Sequence, residues 1–126
     1  MIAGIGVDIV ENKRIKLLLK NKKFVERVFS KNEKLSSKRI KNKVNFFSKR
    51  YAAKEALSKA LGTGIGRSIK FKDVSVKNDK LGKPYYELNS YVKKAIFNSY
   101  KVKKFKISLS LADEKKYSIA FSVIQI

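Results

Sequence analysis

Residues 46–66 read FFSKRYAAKEALSKALGTGIG, and the rest of the fold is predicted to form around this stretch. The part up to Leu61 contains strong helix formers and neither Gly nor Pro, so it predicts one long helix. Gly62 then supplies the left-handed stop at which many helices end. The glycines at positions 62, 64 and 66 would allow a phosphate-bearing ligand to approach the backbone of the exit loop.

Apolar and polar side chains separate around this predicted helix. The apolar set recurs at helical spacing and is expected to face a core: Phe47, Tyr51, Ala56, Ala60 and Leu61. The polar set is expected to form a neighbouring stripe: Arg50, Lys54, Glu55, Ser58 and Lys59. Two interpretations are open for Glu55, the only acid in the helix. It forms a surface pair with Lys59 at i, i+4, or it is a metal ligand beside basic residues that bind an anion.

Composition narrows the chemistry. With 126 residues, 44% of them hydrophobic, the chain predicts one domain over residues 1–126. It has no Cys and no His, which excludes disulfides, thiolate chemistry, histidine bases and the usual zinc sites. Carboxylates, lysines, hydroxyls and a hard metal remain. The sequence has no apolar run long enough for a membrane span and starts without a basic leader, so we expect a cytoplasmic protein with no membrane partner.

The charge balance predicts a polyanionic partner or substrate. Lys and Arg number 31 against 10 Asp and Glu, a formal charge of +21, and the bases are spread over residues 13–23, 31–43 and 93–106. A lysine-biased composition without a specific role is the alternative. A small basic nucleic-acid-binding protein also fits the charge, but it leaves Asp8 and Glu55 unexplained and the chain has no RNP-like or zinc-finger pattern. We therefore expect no nucleic-acid partner.

An acidic residue lies within the first apolar run. Residues 5–10 read IGVDIV, which predicts a strand with Ile5, Val7 and Ile9 on one face and Asp8 beside Gly6 on the other. A carboxylate in such a run is costly to bury without a cation or hydrogen bonds. Asp8 is either exposed at a strand edge or a ligand of Mg²⁺, which one or two carboxylates hold while phosphates and waters complete the octahedron.

The remaining chain alternates short helices and strands. Helical patterns cover residues 11–20 and 24–29, and Ser30 with Glu33 has the form of a capping box for a short helix. A hairpin is expected from residues 71–77 and 85–88 across the turn 78–84, then a helix over 90–100 and two strands over 106–111 and 117–124. These elements predict an α+β fold, in which a small antiparallel sheet packs against a long central helix and shorter helices.

Four pieces of sequence occur in an order that carries a family resemblance. They are GIGVDIVE at 4–11, RYAAKEALSKALGTG at 50–64, NDKLGKP at 78–84, and SLADE at 110–114 followed by a tyrosine. Together they resemble the holo-(acyl-carrier-protein) synthases, small 4′-phosphopantetheinyl transferases, over the whole chain. The resemblance implies transfer of the phosphopantetheine arm of coenzyme A to a serine of apo acyl carrier protein in fatty-acid biosynthesis. It also implies a requirement for Mg²⁺ and the release of adenosine 3′,5′-bisphosphate.

The same resemblance implies roles for individual residues and a homotrimer with sites shared between subunits. Asp8 and Glu55 would bind the metal and, with Lys59, form the catalytic group. A further set would bind coenzyme A: Lys41, Lys43, Arg50, Lys54, Ser58, Lys59, Gly62, Lys83 and Pro84. The first predicted helix would meet the carrier protein through four residues: Lys13, Arg14, Ile15 and Leu18.

The chain departs from the family pattern at two places. Some members have a histidine in the penultimate strand or the loop after it, and this chain reads LADE there; Tyr51 stands where others often have Trp or Phe. The base that accepts the proton of the carrier serine is then a carboxylate, a metal-bound water or Lys59. The sequence leaves these three open.

Overall fold

The computed structural model describes residues 1–66 and 69–126 as an α+β fold, which confirms the predicted class. Five helices and five strands occur in the described part of the chain. In chain order they are β1 (Ile2–Glu11), α1 (Asn12–Leu18), α2 (Lys22–Val28), α3 (Lys31–Ser37), α4 (Lys43–Leu61), β2 (Val74–Asn78), β3 (Pro84–Leu88), α5 (Ser90–Tyr100), β4 (Lys106–Asp113) and β5 (Tyr117–Gln125). A short 3-10 turn, Phe71–Asp73, replaces the start of the predicted hairpin strand.

The strands form two antiparallel sheets. β5 lies between β1 and β4 in a three-stranded sheet, and β2 pairs with β3 in a separate hairpin. The helix α4 packs against β1 and β5 on one side, while the hairpin and α3 cover other sides. Tyr86 of β3 ties the hairpin to α4, because its hydroxyl donates to the carbonyl of Ala53 at 2.6 Å.

The predicted ends of two helices are confirmed. Gly62 takes a left-handed conformation with φ of 74° immediately after α4, where a residue with a side chain would be strained. Ser30 and Glu33 form the capping box of α3, in which the Ser30 hydroxyl accepts from the Glu33 N–H and the Glu33 carboxylate accepts from the Ser30 N–H. Local sequence therefore determined both boundaries.

The expected polar stripe on α4 is wrong for three of its five residues. The side chains of Arg50, Lys54 and Ser58 are buried, and only Glu55 and Lys59 reach solvent. The reason is that α4 is covered on several sides by the large sheet, the β2–β3 hairpin and α3. A helix in that position buries part of its polar face as well as its apolar one.

The apolar face of β1 points away from α4. Ile5, Val7 and Ile9 share one face, as predicted, but Ile9 is 61% exposed and Val7 50% exposed. Phe121 on the neighbouring β5 belongs to the same open face and is 43% exposed. Gly6 and Asp8 instead face α4, which places the carboxylate on the inner side of the sheet.

In the described part of the chain, no helix has both the length and the apolar character that crossing a membrane requires.

Candidate active site

Asp8 and Lys59 meet where β1 crosses the last turns of α4. The Lys59 Nζ lies 3.0 Å from the Asp8 Oδ1 and also donates to the carbonyl of Val7 at 3.1 Å. The Asp8 side chain is mostly covered, while the Lys59 side chain is about half exposed. The surface pair of Lys59 with Glu55 that was open from the sequence is therefore replaced by a pair with Asp8 on another element.

Gly6 explains why β1 can lie so close to the helix. A Cβ atom placed on Gly6 would overlap the carbonyl oxygen of Ala56 and lie 2.7 Å from the Ala60 nitrogen. Those helix positions carry only methyl side chains, so strand and helix backbones touch directly. This close approach brings Asp8, two residues after Gly6, within reach of α4.

Glu55 is the second carboxylate of the site. Partial burial raises its pKa above the ordinary value for glutamate, and the nearby Asp8 carboxylate raises the pKa further, while Lys59 opposes both effects. The two carboxylates therefore repel each other, and they come from elements that are far apart in the sequence, β1 and α4. Carboxylates that repel in the absence of a cation are an arrangement that a divalent cation stabilises.

The donor set fits Mg²⁺. Among residues 1–66 and 69–126, no group of three or more acidic side chains gathers at one place. Two carboxylates are nevertheless enough for Mg²⁺, which keeps waters and takes substrate phosphate oxygens as its remaining ligands. Asp8 and Glu55 are the residues that would hold the ion.

Arg14 and Tyr51 border the carboxylates. The Arg14 guanidinium carbon lies 5.8 Å from the centroid of the Tyr51 ring, which stacks on Phe71 with centroids 5.6 Å apart. Burial raises the pKa of the Tyr51 hydroxyl, the nearby Glu55 raises it further, and Arg14 lowers it. Arg14 was predicted only as a carrier contact, and the structure brings it beside the carboxylate site as well.

A cavity of about 420 Å³ lies between the first half of α4 and the turn of the β2–β3 hairpin. Arg50 forms its wall: the Arg50 Nη2 donates to the Asn78 Oδ1 at 2.7 Å, and the guanidinium lies 3.6 Å over the Phe46 ring. Burial lowers the pKa of Arg50 to about 10, with Glu33 opposing the shift, so the guanidinium remains charged at neutral pH. The Arg50 Nε is buried and, among the described residues, has no hydrogen-bond partner.

The rim of the cavity contains further residues predicted from the sequence. Pro84 lines it, and Lys83 sits in the preceding turn, where its N–H donates to the Asp79 carboxylate at 2.9 Å. Lys41 and Lys43 are exposed on either side of Asn42, which also lines the cavity. A cluster of positive charge therefore surrounds this opening.

The cavity residues that the sequence analysis missed include Asn45, Lys49 and Asp113. The Asn45 Nδ2 donates to the Asp113 Oδ2 at 2.8 Å, and the Lys49 Nζ lies 3.3 Å from the Asp113 Oδ1. These contacts lower the pKa of Asp113, the Asn45 hydrogen bond most of all. Because Asn45 and Asp113 are 68 residues apart, no local pattern could have joined them.

Several predicted ligand residues are not available at the surface. Lys54, which was predicted to bind coenzyme A, lies in the interior, where its Nζ pairs with the Glu33 carboxylate at 2.7 Å. Burial lowers the pKa of Lys54, and Glu33 partly offsets this. The Ser58 hydroxyl is also buried and donates to the Glu55 carbonyl at 2.8 Å. Ile15 is fully buried in the core, so it cannot contact a carrier protein.

The predicted coenzyme A residues fall into two groups along α4. Arg50 lies at the cavity, whereas Gly62 follows Lys59 at the far end of the helix. Twelve residues separate them, which is roughly 18 Å of helix. Arg50 and Glu55 are five positions apart, or about 140° around the axis at 3.6 residues per turn. The cavity and the carboxylates therefore lie on different faces of α4.

Comparison with known proteins identifies the family of the chain. A family model described as the 4′-phosphopantetheinyl transferase superfamily matches residues 4–122. A holo-[acyl-carrier-protein] synthase of Pelagibacter ubique is 53% identical over 124 residues, which are 98% of this chain and 97% of that protein. The chain therefore belongs to the 4′-phosphopantetheinyl transferase superfamily. It is an enzyme, and within the superfamily it groups with the holo-[acyl-carrier-protein] synthases, as the four sequence pieces indicated.

Solved structures agree in fold. The crystal structure of the Neisseria meningitidis holo-[acyl-carrier-protein] synthase superposes with a TM-score of 0.89 at 37% identity and covers 100% of both chains. A Bacillus anthracis holo-(acyl-carrier-protein) synthase in complex with CoA (3′,5′-ADP) gives a TM-score of 0.83 at 37% identity, covering 99% of this chain and 97% of that one. The fold of this chain is thus that of the family.

Proposed function

We propose that this protein transfers the 4′-phosphopantetheine group of coenzyme A to a serine of an apo acyl carrier protein, in a Mg²⁺-dependent reaction that releases adenosine 3′,5′-bisphosphate. We place it in the cytoplasm, in fatty-acid biosynthesis. The observation that carries the proposal is the pairing of Asp8 with Lys59 beside Glu55, in a chain that belongs to this family. This arrangement places two carboxylates, which would bind a hard metal ion, next to a lysine that would bind a phosphate.

The reaction needs charge stabilisation more than covalent chemistry. The serine oxygen forms a bond to the phosphorus that carries pantetheine, and the bond from that phosphorus to the bridging oxygen of the pyrophosphate breaks. Bound Mg²⁺ would supply Lewis-acid stabilisation of the phosphate oxygens. Asp8 and Glu55 would hold the ion, and Lys59 would donate to an oxygen on which negative charge develops. The serine proton would pass to one of the three acceptors that the sequence left open: a carboxylate, Lys59 or, with the metal bound, a water of that ion.

The cavity suits the nucleotide end of coenzyme A. Its wall carries the Arg50 guanidinium, and exposed lysines stand at the rim: Lys41, Lys43 and Lys83. Arginine binds phosphate oxygens in a planar fork, and lysines add point charges. Pro84 offers an apolar surface for the base. The Bacillus anthracis relative, solved with CoA (3′,5′-ADP), supports a nucleotide-bearing ligand for this fold.

Lys59 is expected to act in the chemical step. Because its Nζ lies 3.0 Å from Asp8 at the carboxylate site, Lys59→Ala removes a donor from the region where charge develops. We expect kcat to fall by roughly 10² to 10³, the range typical of one lost electrostatic donor. The KM for coenzyme A should change much less. A variant altered only in KM would instead show that Lys59 acts in ground-state binding.

We further propose that the protein is a homotrimer whose sites are shared between subunits. The open face of the large sheet is apolar across two strands and includes Ile5, Val7, Ile9, Ile119 and Phe121. A contiguous apolar patch of this kind favours association. The separation of the cavity and the carboxylates on different faces of α4 supports a site in which one subunit supplies the carboxylates and its neighbour the cavity.

A charge on the open sheet face is expected to dissociate the assembly. Phe121→Glu places a carboxylate among apolar neighbours, so sedimentation should report monomers where the wild type sediments as a trimer. Transfer should be lost with the assembly, while the circular dichroism spectrum stays native. A monomeric wild type would contradict the proposal directly.

Mixing two inactive variants tests whether the site is shared. Asp8→Ala lacks the carboxylate half and Arg50→Ala lacks the cavity half, so each alone should be inactive. When the two are unfolded and refolded together at equal amounts, random trimers should regain about a quarter of the sites. No recovery would place both halves within one subunit.

The helix α1 is proposed to dock the carrier protein. A groove of about 440 Å³ runs along it and is lined by Glu11, Lys13, Arg14, Leu17 and Leu18. Leu17 is exposed and takes the place that Ile15 was expected to fill. An acidic helix with an apolar side complements this mixture of bases and leucines. Arg14 also adjoins Tyr51, so a docked carrier would bring its serine toward the carboxylates.

Arg14→Glu is expected to raise the KM for the carrier at least tenfold, about 1.4 kcal/mol. Arginine binds a carboxylate in bidentate fashion, and the reversal turns attraction into repulsion. Lys94→Glu in α5 changes the net charge equally at an exposed position and is the control. Equal weakening by both variants would mean that the +21 charge attracts the carrier diffusely.

One experiment tests the proposed function as a whole. The protein is incubated with coenzyme A and an apo acyl carrier protein, and the mass of the carrier is measured with Mg²⁺ and with EDTA in its place. We expect the carrier to gain one phosphopantetheine only with Mg²⁺. An unmodified carrier, together with salt-dependent binding of an oligonucleotide, would favour the nucleic-acid-binding alternative.

A further inference from the structure

A charged pair lies in the interior, away from both the carboxylates and the cavity opening. The Lys54 Nζ and the Glu33 Oε1 are 2.7 Å apart, and both side chains have 0% exposure. Neither is placed to touch a substrate. Burying two ions is costly, and apolar residues of similar volume often stabilise a fold equally well. Stability alone therefore does not account for the pair. The arrangement of the segments that it joins is the better explanation.

Hydrogen bonds of the pair connect four segments. Besides Lys54, the Glu33 carboxylate accepts from the N–H of Ser30 and the N–H of Val76, each at 2.9 Å. The Lys54 Nζ also donates to the carbonyl of Val28 at 2.6 Å. The start of α3, the strand β2, the end of α2 and the middle of α4 are thus joined through one carboxylate and one ammonium group.

Two of the connected segments, α4 and β2, also contribute residues to the cavity. Lys54 follows Arg50 by one helical turn, and Val76 precedes Asn78 by two residues on the same strand. Arg50 and Asn78 meet across the cavity wall at 2.7 Å. The contacts from Lys54 through Glu33 to Val76 therefore span the gap between α4 and the β2–β3 hairpin beside this cavity.

We propose that Glu33 and Lys54 are positioning residues that hold the β2–β3 hairpin in register against α4, so that Arg50 and the 78–84 turn enclose the nucleotide part of the substrate. The carboxylate fits this task because it accepts from α4 and β2 with its two oxygens at once. The inference rests on the proposed function, since it assigns a nucleotide to the cavity. It predicts an effect on substrate binding rather than on the chemical step.

The test uses the double variant Glu33→Gln with Lys54→Met. Removing both charges leaves no lone ion in the interior, Gln keeps an oxygen for the Val76 N–H, and Met replaces the lysine stem. We expect a folded protein with the KM for coenzyme A raised at least tenfold and kcat within about threefold of wild type. Calorimetric titration with adenosine 3′,5′-bisphosphate should show the same loss of affinity.

The control is Ile96→Ala, which opens the core under α5 without contact to the cavity. It should lower the melting temperature and leave the KM for coenzyme A unchanged. Glu33→Asp is the second variant: it keeps the charge but shortens the reach to Lys54 and Val76, and should also raise this KM. An unchanged KM in either folded variant, a loss of kcat alone, or failure of both variants to fold would overturn the positioning role.

Hydrogen exchange separates this inference from the proposed function. In the double variant, amides of β2 and β3 should exchange faster while those of β1 and β5 keep their wild-type rates. That readout does not depend on turnover. If the wild type neither binds the nucleotide nor modifies a carrier, the proposed function fails; if hairpin exchange is unchanged in the double variant, the inference fails.

Discussion

Asp8→Ala and Glu55→Ala are each expected to lower kcat for phosphopantetheine transfer by at least about 10³-fold, roughly 4 kcal/mol of transition-state stabilisation. Each change removes half of the carboxylate pair that would hold Mg²⁺. Asp8→Ala also leaves Lys59 without its 3.0 Å partner. Both side chains are at the edge of the core, so the circular dichroism spectrum should stay native. The measurement is single-turnover transfer followed by mass spectrometry of the carrier.

Glu87→Ala is the matched control for this pair. It also removes one carboxylate, but from an exposed position on β3, where Glu87 pairs with Lys77 at 2.8 Å. Water and salt screen exposed pairs of this kind, so stability and turnover should both stay close to wild type. Turnover within tenfold of wild type in either site variant would remove the basis for the metal assignment.

Gly6→Ala is expected to cause the largest loss of stability from the smallest change. The added methyl group would overlap the backbone carbonyl of Ala56, which is part of α4 and cannot rotate away. Forced displacement of packed backbone typically costs about 1–3 kcal/mol, and the upper end applies here. The melting temperature should fall by roughly 10 °C at a fixed protein concentration. Moving β1 also moves Asp8, so transfer should fall by about 10²-fold.

Gly64→Ala distinguishes crowding from backbone strain. Gly64 has φ of 71° and nothing within 4 Å of an added Cβ, so alanine there costs only the left-handed conformation, about 1 kcal/mol. We expect only a small shift in melting temperature. If the two glycine variants lose the same stability, the contact between β1 and α4 is less tight than the structure indicates.

Local signals in the sequence determined most of the elements and two of the helix ends. Each of these signals acts over a few residues. Examples are the helix formers of residues 46–61, the left-handed Gly62, and the capping box of Ser30 with Glu33. Such interactions operate before the chain is compact, which is why they can be read without the fold. Pattern also separated Asp8 and Gly6 from the apolar side of β1, because strand side chains alternate strictly.

The two carboxylates were predictable for a different reason. An acid in an apolar strand and a single acid in a basic helix are both costly or unusual unless a cation compensates them. This indicated Asp8 and Glu55 as candidate metal ligands, the role that we propose for them, without any knowledge of their distance. The partner of Lys59 was not predictable, since helix spacing offered Glu55 while the fold supplies Asp8.

Tertiary structure alone decided which faces are covered. Periodicity gives the relative phase of side chains around α4, but not how many neighbours surround it, so the burial of Arg50 and Lys54 followed only from packing of the hairpin and α3. Alternation along β1 likewise left open which face would pack, and the glycine side did, because a helix backbone can approach only where side chains are absent.

Glu33 meets Lys54 across 21 residues and Val76 across 43. Contacts at such separations arise from the chain path, which no local pattern encodes.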